Sequence, residues 1–427
     1  MHLIWLFASL VVLASAGTSQ DSEQKRYDNH RVYELNISNN VQLKIINKLT
    51  ELSQKYDIWK EYNAHTKQMH VMVNPSEEKR FQLFLRLFNI NNELLIPNLQ
   101  SLIDNESVAN ARYSTTFGWS RYNSLAEIYT WLDGILAAYP EVTEGSIIGQ
   151  SYEGRDIRAI KISYKEGNPG VVIESNIHGC EWITSATVTY FINQLLTSED
   201  EQVRALAENH DWYIVPVLNV DGFVYSHEKD RLWRKNRQPS NTSSCVGADP
   251  NRNYDSHWME QGGSSDPCAS NYAGAYAFSE PEIKAMSDYI ISIKDKLNIF
   301  LGFHSYSQLV LSPYGHTDLE FPDNYDDMMQ VAKAYADAVE AMPYGSVYQI
   351  GSSATVLYFT SGGAKEWAYN EMDIELSYTI EFRDTGRYGF MLPPAFILPN
   401  CEEAMTGLLA MMAESDKLGY LKPKYVL

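Results

Sequence analysis

The sequence predicts an α/β architecture, a mostly parallel or mixed twisted sheet between helices, preceded by a small α+β unit. Two observations carry that reading. After Tyr113, short apolar runs (Ile157 to Ile162, Val171 to Ser175, Trp212 to Leu218, Ile299 to Phe303) alternate with helical patterns, as in a sheet covered on both faces. Between Tyr27 and Asn110, strand-type and helix-type periodicities alternate at shorter intervals. The 427 residues suffice for roughly two to three domains of average size.

The elements follow in order. Leu3 to Leu13 is an apolar run too short to span a membrane, and Ala14-Ser15-Ala16 fits a small-residue cleavage site, so residues 1–16 read as a secretory leader. Arg31 to Leu35 alternates like a strand. Apolar residues at Val41, Ile45, Ile46, Leu49 and Leu52 predict a helix over 41–56. Gln68 to Val73 alternates again, and Glu77 to Phe88 opens with two acids and continues with helical spacing. This succession of strands and helices predicts a ferredoxin-like sandwich with no catalytic cluster of its own. Ala111-Arg112-Tyr113 reads as an exposed linker, where an Arg is open to a trypsin-like protease.

Composition narrows the function. The chain carries 34 basic and 54 acidic residues, a formal net charge of −20, which speaks against nucleic acid, whose phosphates demand a basic face. No stretch beyond the leader is long and apolar enough to cross a bilayer, so a secreted, extracellular monomer without a membrane partner is expected. Four cysteines are too few for a disulfide scaffold but allow one or two bridges. Asn36, Asn105 and Asn241 each open an N-x-S/T sequon available to glycosylation.

Asn176-Ile177-His178-Gly179-Cys180-Glu181-Trp182 follows the run Val171 to Ser175, and ligands collect outside the carboxyl ends of such strands. His178 and Glu181 are close enough to touch one ion, although a capping Glu beside a core His has the same spacing. A second apolar run, Ile299 to Phe303, also ends in a His, His304. Two imidazoles and a carboxylate with an open position describe a catalytic zinc site. There the ion would bring the pKa of a bound water towards ~7 and polarise a carbonyl. Glu381 closes the run Leu376 to Ile380, an expensive place for an acid unless it is paired; Arg383 is near in sequence.

Asn176 to Thr184, Arg231 to Arg237, Asn251 to Asp255, Phe303 to Gln308 and Glu381 to Phe390 together resemble the zinc metallocarboxypeptidases of the pancreatic A/B type. The resemblance covers nearly the whole chain and implies one Zn2+ held by His178, Glu181 and His304, the ligand set being the family's own. Asp249 matches the carboxylate behind the first His, while an Asp that merely starts the Asp249-Pro250 turn reads the same. Glu381 matches the general base and Arg234 the oxyanion-stabilising cation. Asn251 and Arg252 match the anchors of a substrate's terminal carboxylate, and Tyr358 the mobile Tyr that closes over it. Cys245 and Cys268 match the family's disulfide. Cys180 departs from the pattern, which commonly has a substrate-contacting Arg there; a Cys180–Cys401 bond stays open.

The resemblance also implies a zymogen: residues 17–112 an activation pro-segment, 113–427 the catalytic domain, cleavage near Arg112. Its partners would be peptide C termini, the activating protease and protein carboxypeptidase inhibitors, in a setting such as protein digestion. Lys365, in Gly362-Gly363-Ala364-Lys365-Glu366-Trp367, takes the floor of the specificity pocket, apolar in A-type enzymes and Asp in B-type. A Lys there would pair with a C-terminal Glu, and less deeply with Asp. If Lys365 instead snorkels outward, or pairs with Glu366 or Glu375, an ordinary A-type pocket follows. A C-terminus-binding pseudoenzyme would show an altered ligand or base, and none is altered. A secreted inhibitor or carrier would not need the larger domain.

Overall fold

The small unit's sheet is apolar on both faces, and residue parity decides what covers each. The computed structural model describes residues 24–51, 53, 55–63, 66–112 and 116–423, so the expected leader lies outside the described residues. In chain order the unit runs β1 (Arg31–Asn36), α1 (Asn40–Glu51), β2 (Tyr56–Lys60), β3 (Gln68–Val73), α2 (Glu78–Leu87), β4 (Asn91–Ile96) and α3 (Leu99–Arg112). The sheet order β2-β3-β1-β4 with antiparallel neighbours is ferredoxin-like, as predicted. Successive side chains alternate faces. Tyr33, Leu35, Val71 and Val73 therefore pack on Phe81 and Leu85 beneath the helices. Val32, Trp59 and Met72 point the other way, onto Tyr306 and Met391 of the larger domain.

Two expectations are corrected here. The helix predicted over 41–56 stops at Glu51, and Tyr56 instead begins a strand, because Tyr56 and Trp59 each bury on opposite faces of the sheet. The segment read as a linker is the end of a helix that reaches Arg112. Leu99 and Ile103 of that helix bury against the larger domain, and Glu106 forms an ion pair with Arg231 at 2.7 Å. Residues 113–115 lie outside the described set.

The larger domain holds β5 (Thr143–Gln150), β6 (Asp156–Ile162), β7 (Gly170–Ser175), β8 (Asp211–Val215), β9 (Leu297–Ser305), β10 (Leu309–Ser312), β11 (Gln349–Ser352) and β12 (Leu376–Phe382) in one sheet, ordered β11-β10-β12-β9-β7-β8-β6-β5. Its centre, β12-β9-β7-β8, is parallel; β5 and β6 pair antiparallel at one edge, and β10 is antiparallel to β12. Every residue of β7 and β9 is buried, so both faces are covered, and this is why those strands read as unbroken apolar runs. The covering helices are α4 (Leu125–Ala138), α5 (Trp182–Thr197), α6 (Glu201–Glu208), α7 (Val220–Glu228), α8 (Pro281–Ile293), α9 (Tyr325–Glu340), α10 (Ser353–Val356), α11 (Ala364–Asn370) and α12 (Ile397–Lys417). Among the described residues no helix is long and apolar enough to cross a membrane.

Candidate metal centre and cleft

Three neighbouring parallel strands deliver the centre. β7 ends at Ser175, and His178 and Glu181 follow in the turn before α5; His304 lies near the end of β9, and Glu381 stands opposite it in register on β12. The sheet thus gathers at its carboxyl edge residues that are far apart in sequence. His178 Nδ1 is 2.7 Å from Glu181 Oε1 and 3.2 Å from His304 Nδ1, and His304 Nδ1 is 3.3 Å from Glu181 Oε2. A tetrahedral zinc with bonds of ~2.1 Å holds its ligand atoms about 3.4 Å apart, so this donor set, at 2.7–3.3 Å, needs only a small opening to take that ion.

Asp249 fixes the ring of His178. Its Oδ1 lies 3.1 Å from His178 Nε2, which leaves Nδ1 without the proton and free to ligate. The same carboxylate accepts the backbone N–H of Asn251 at 3.0 Å and the guanidinium of Arg234 at 2.9 Å. Turn-starting Asp and His-supporting Asp are therefore one residue. Burial would raise Asp249, but the Arg234 guanidinium and the hydrogen bond from His178 outweigh it and hold the carboxyl well below its usual range. Burial also works against Glu181, yet His178 and His304 bring it down to about 2. For Glu381 burial and the neighbouring Glu181 win, and the carboxyl is pushed well above its ordinary value.

Arg234, Asn251, Arg252, Tyr358 and Lys365 open onto the same cavity as these groups. Arg252 Nε donates to the Gly262 carbonyl at 3.2 Å, and its guanidinium carbon stands 5.9 Å from the Tyr358 ring. Gly362 has φ +70, and a Cβ there would collide with the Arg252 carbonyl, so the glycine pair serves the backbone of the anchor segment. Lys365 is buried rather than snorkelled outward, and its ammonium donates to Glu366. Arg383 is no partner for Glu381: it turns to Glu403 on α12 at 2.7 Å.

Cys245 and Cys268 are disulfide-bonded with Cα atoms 5.2 Å apart, whereas Cys180 and Cys401 are free and buried. The sequons sit at the half-buried end of β1 (Asn36), on α3 (Asn105, exposed) and in an exposed turn (Asn241). Sequence reasoning missed the small unit's part in the cleft. Trp59 and Lys60 of β2 line the cavity, and the Lys60 charge acts on Glu381. The basic stretch Arg231 to Lys235, which reads as a solvated loop, is instead tucked in: Arg231 is buried against Glu106, the Cys180 carbonyl and the face of Trp182. These partners come from segments distant in sequence, so no local pattern could show it.

Residues 128–407 match the model of the zinc carboxypeptidases, and residues 33–106 that of the carboxypeptidase activation peptide. The chain belongs to the zinc carboxypeptidase family. This carboxypeptidase is 49% identical to a zinc carboxypeptidase of Simulium vittatum over 301 residues, 70% of this chain and 98% of that one. It is 38% identical to zinc carboxypeptidase A 1 of Anopheles gambiae over 425 residues, 99% and 98% of the two chains. The crystal structure of thrombin activatable fibrinolysis inhibitor superposes with a TM-score of 0.84 at 31% identity, covering 92% of this chain and all of that one. The molecule is thus a zinc-dependent C-terminal exopeptidase in zymogen form, with its activation peptide seated over the cleft that holds the metal centre.

Proposed function

We propose that this carboxypeptidase, once its activation segment is removed, releases C-terminal acidic residues, Glu before Asp, from peptides. The observation that carries the reading is the buried ammonium of Lys365 in the cleft, even though it takes Glu366 as its partner, the pairing that the sequence alone read as leaving an A-type pocket. An ammonium offers three donors, so a substrate carboxylate can share it with Glu366. A hydrogen bond to a charged group is worth about 1.5–3 kcal/mol, roughly 10- to 150-fold in discrimination. The Glu366 pair also favours a second reading, in which it quenches the charge and leaves A-type preference for aliphatic or aromatic ends.

In this mechanism Arg252 and Asn251 grip the terminal carboxylate and Tyr358 closes over it. A Zn2+ held by His178, Glu181 and His304 would supply a Lewis acid for the scissile carbonyl and for the attacking water. Glu381, opposite His304 on the paired strand and open to the same cleft, takes a proton from the attacking water and returns it to the leaving amine. Arg234, braced by Asp249, meets the charge that develops on the carbonyl oxygen. We further assign residues 1–16 to a leader of a secreted precursor, 17–112 to the activation segment, and 113–427 to the enzyme. A trypsin-like protease cuts near Arg112, and protein carboxypeptidase inhibitors fit the same cleft.

The test is kcat/KM of the activated enzyme on three peptides differing only in a C-terminal Glu, Leu or Arg. A lead for Glu that Lys365→Ile abolishes is expected. A lead for Leu with Glu poor means that Glu366 has neutralised the pocket, and the acidic preference falls.

A further inference from the structure

Outside the cleft, one cluster carries metal-ligand chemistry that the peptidase reaction does not use. His257 and Glu260 stand on the loop after the Arg252 anchor, and His316 reaches them from the turn after β10. Their ligand-capable atoms lie within 4.8 Å of one another, and His257 Nδ1 is 3.1 Å from Glu260 Oε2. The imidazoles of His257 and His316 stack with centroids 3.5 Å apart. His316 Nδ1 is buried with no hydrogen-bond partner among the described residues, a costly state when nothing fills it.

We propose that His257, Glu260 and His316 form a second, solvent-open site for a borderline divalent cation, Zn2+ by its ligand preferences. Two imidazole nitrogens and one carboxylate oxygen suit that class over the harder Mg2+ or Ca2+. The remaining positions are open to water, since His257 and Glu260 are 36% and 56% exposed. Parallel rings send their lone pairs side by side rather than to one point. Binding therefore requires His257, the exposed partner, to rotate so that the donors close to about 3.4 Å. Among the described residues Glu260, itself a proposed ligand, is the carboxylate recorded on these rings, and none stands behind them as Asp249 stands behind His178, so affinity is expected in the micromolar range, well below that of the catalytic centre.

The position gives the ion a consequence. Gln261 Nε2 donates to the His316 carbonyl at 2.9 Å, and the next residue, Gly262, accepts from Arg252 at 3.2 Å. An ion here pins the loop on which the Arg252 side chain rests to the 314–316 turn.

The test is equilibrium dialysis of the intact precursor against micromolar free Zn2+, followed by metal analysis. Wild type is expected to hold two equivalents per chain, and the His316→Ala and His257→Ala variants one each; the retained equivalent shows that each variant is folded. Micromolar Zn2+ should also shield His257 from diethyl pyrocarbonate. A single equivalent in wild type, or two in either variant, overturns the proposal. Neither outcome touches the pocket reading, which the peptide series decides separately.

Discussion

The chain contains two His-x-x-Glu pairs, His178–Glu181 and His257–Glu260, and in each case a distant His, His304 or His316, completes the cluster. Residue types and spacing are the same. The first pair follows a fully buried strand, has Asp249 behind its ring and Arg234 beside its carboxylate, and is roofed by the activation segment. The second lies on an exposed loop, with its rings stacked rather than converging. The contrast teaches that spacing gives reach, whereas ring tautomer, carboxylate ionisation and water exclusion come from what surrounds the ligands.

The largest test of that contrast is at the reacting end. Glu381→Gln in the activated enzyme should lower kcat by about 10²–10⁴-fold with little change in KM. A variant that keeps its rate would remove Glu381 from the proton path and leave the first cluster no better equipped than the second. Next in size is the brace. Asp249→Asn should weaken zinc binding at the catalytic centre by about 10–100-fold, read from dialysis against chelators of graded strength; unchanged affinity would mean that burial alone separates the two clusters.

The smallest effect isolates burial from charge. Glu174, on β7 four residues before His178, is as buried as Glu181 but has Tyr254 at 3.0 Å as its partner instead of a cation, and burial pushes it up to about 8. The folded state therefore keeps a proton that the unfolded chain gives up near its ordinary pKa of ~4.3. That contribution to stability is full below the unfolded pKa and is lost as pH rises through the folded one. Glu174→Gln should flatten the fall of Tm across this window. Parallel curves for variant and wild type would mean that Glu174 is already ionised.

Much of this was legible in advance where the local pattern and the burial agree. β7, β9 and β12 are apolar runs because both faces are covered, and the functional groups at their ends stand out against that background. Other elements were hidden for physical reasons. β5 is largely exposed and β10 and β11 are four residues each, too little pattern to register. The helix ending at Arg112 buries one sparse stripe against a domain distant in sequence, so its apolar residues looked like noise. His257-Trp258-Met259-Glu260 had the spacing of a ligand pair but no strand before it and no visible third residue.

By itself the sequence determined the two-unit organisation, the parallel core and the identity of the groups that meet at the metal, because backbone periodicity and residue chemistry are written locally. Tertiary structure alone decided that Glu381 faces His304 across paired strands and that Trp59 and Lys60 stop the cleft. It also decided that Lys365 enters the pocket already joined to Glu366 and that Cys180 and Cys401 stay apart. Each of these is a contact between side chains brought together by packing, and the strength of a charge or a thiol's freedom depends on the neighbours that packing selects.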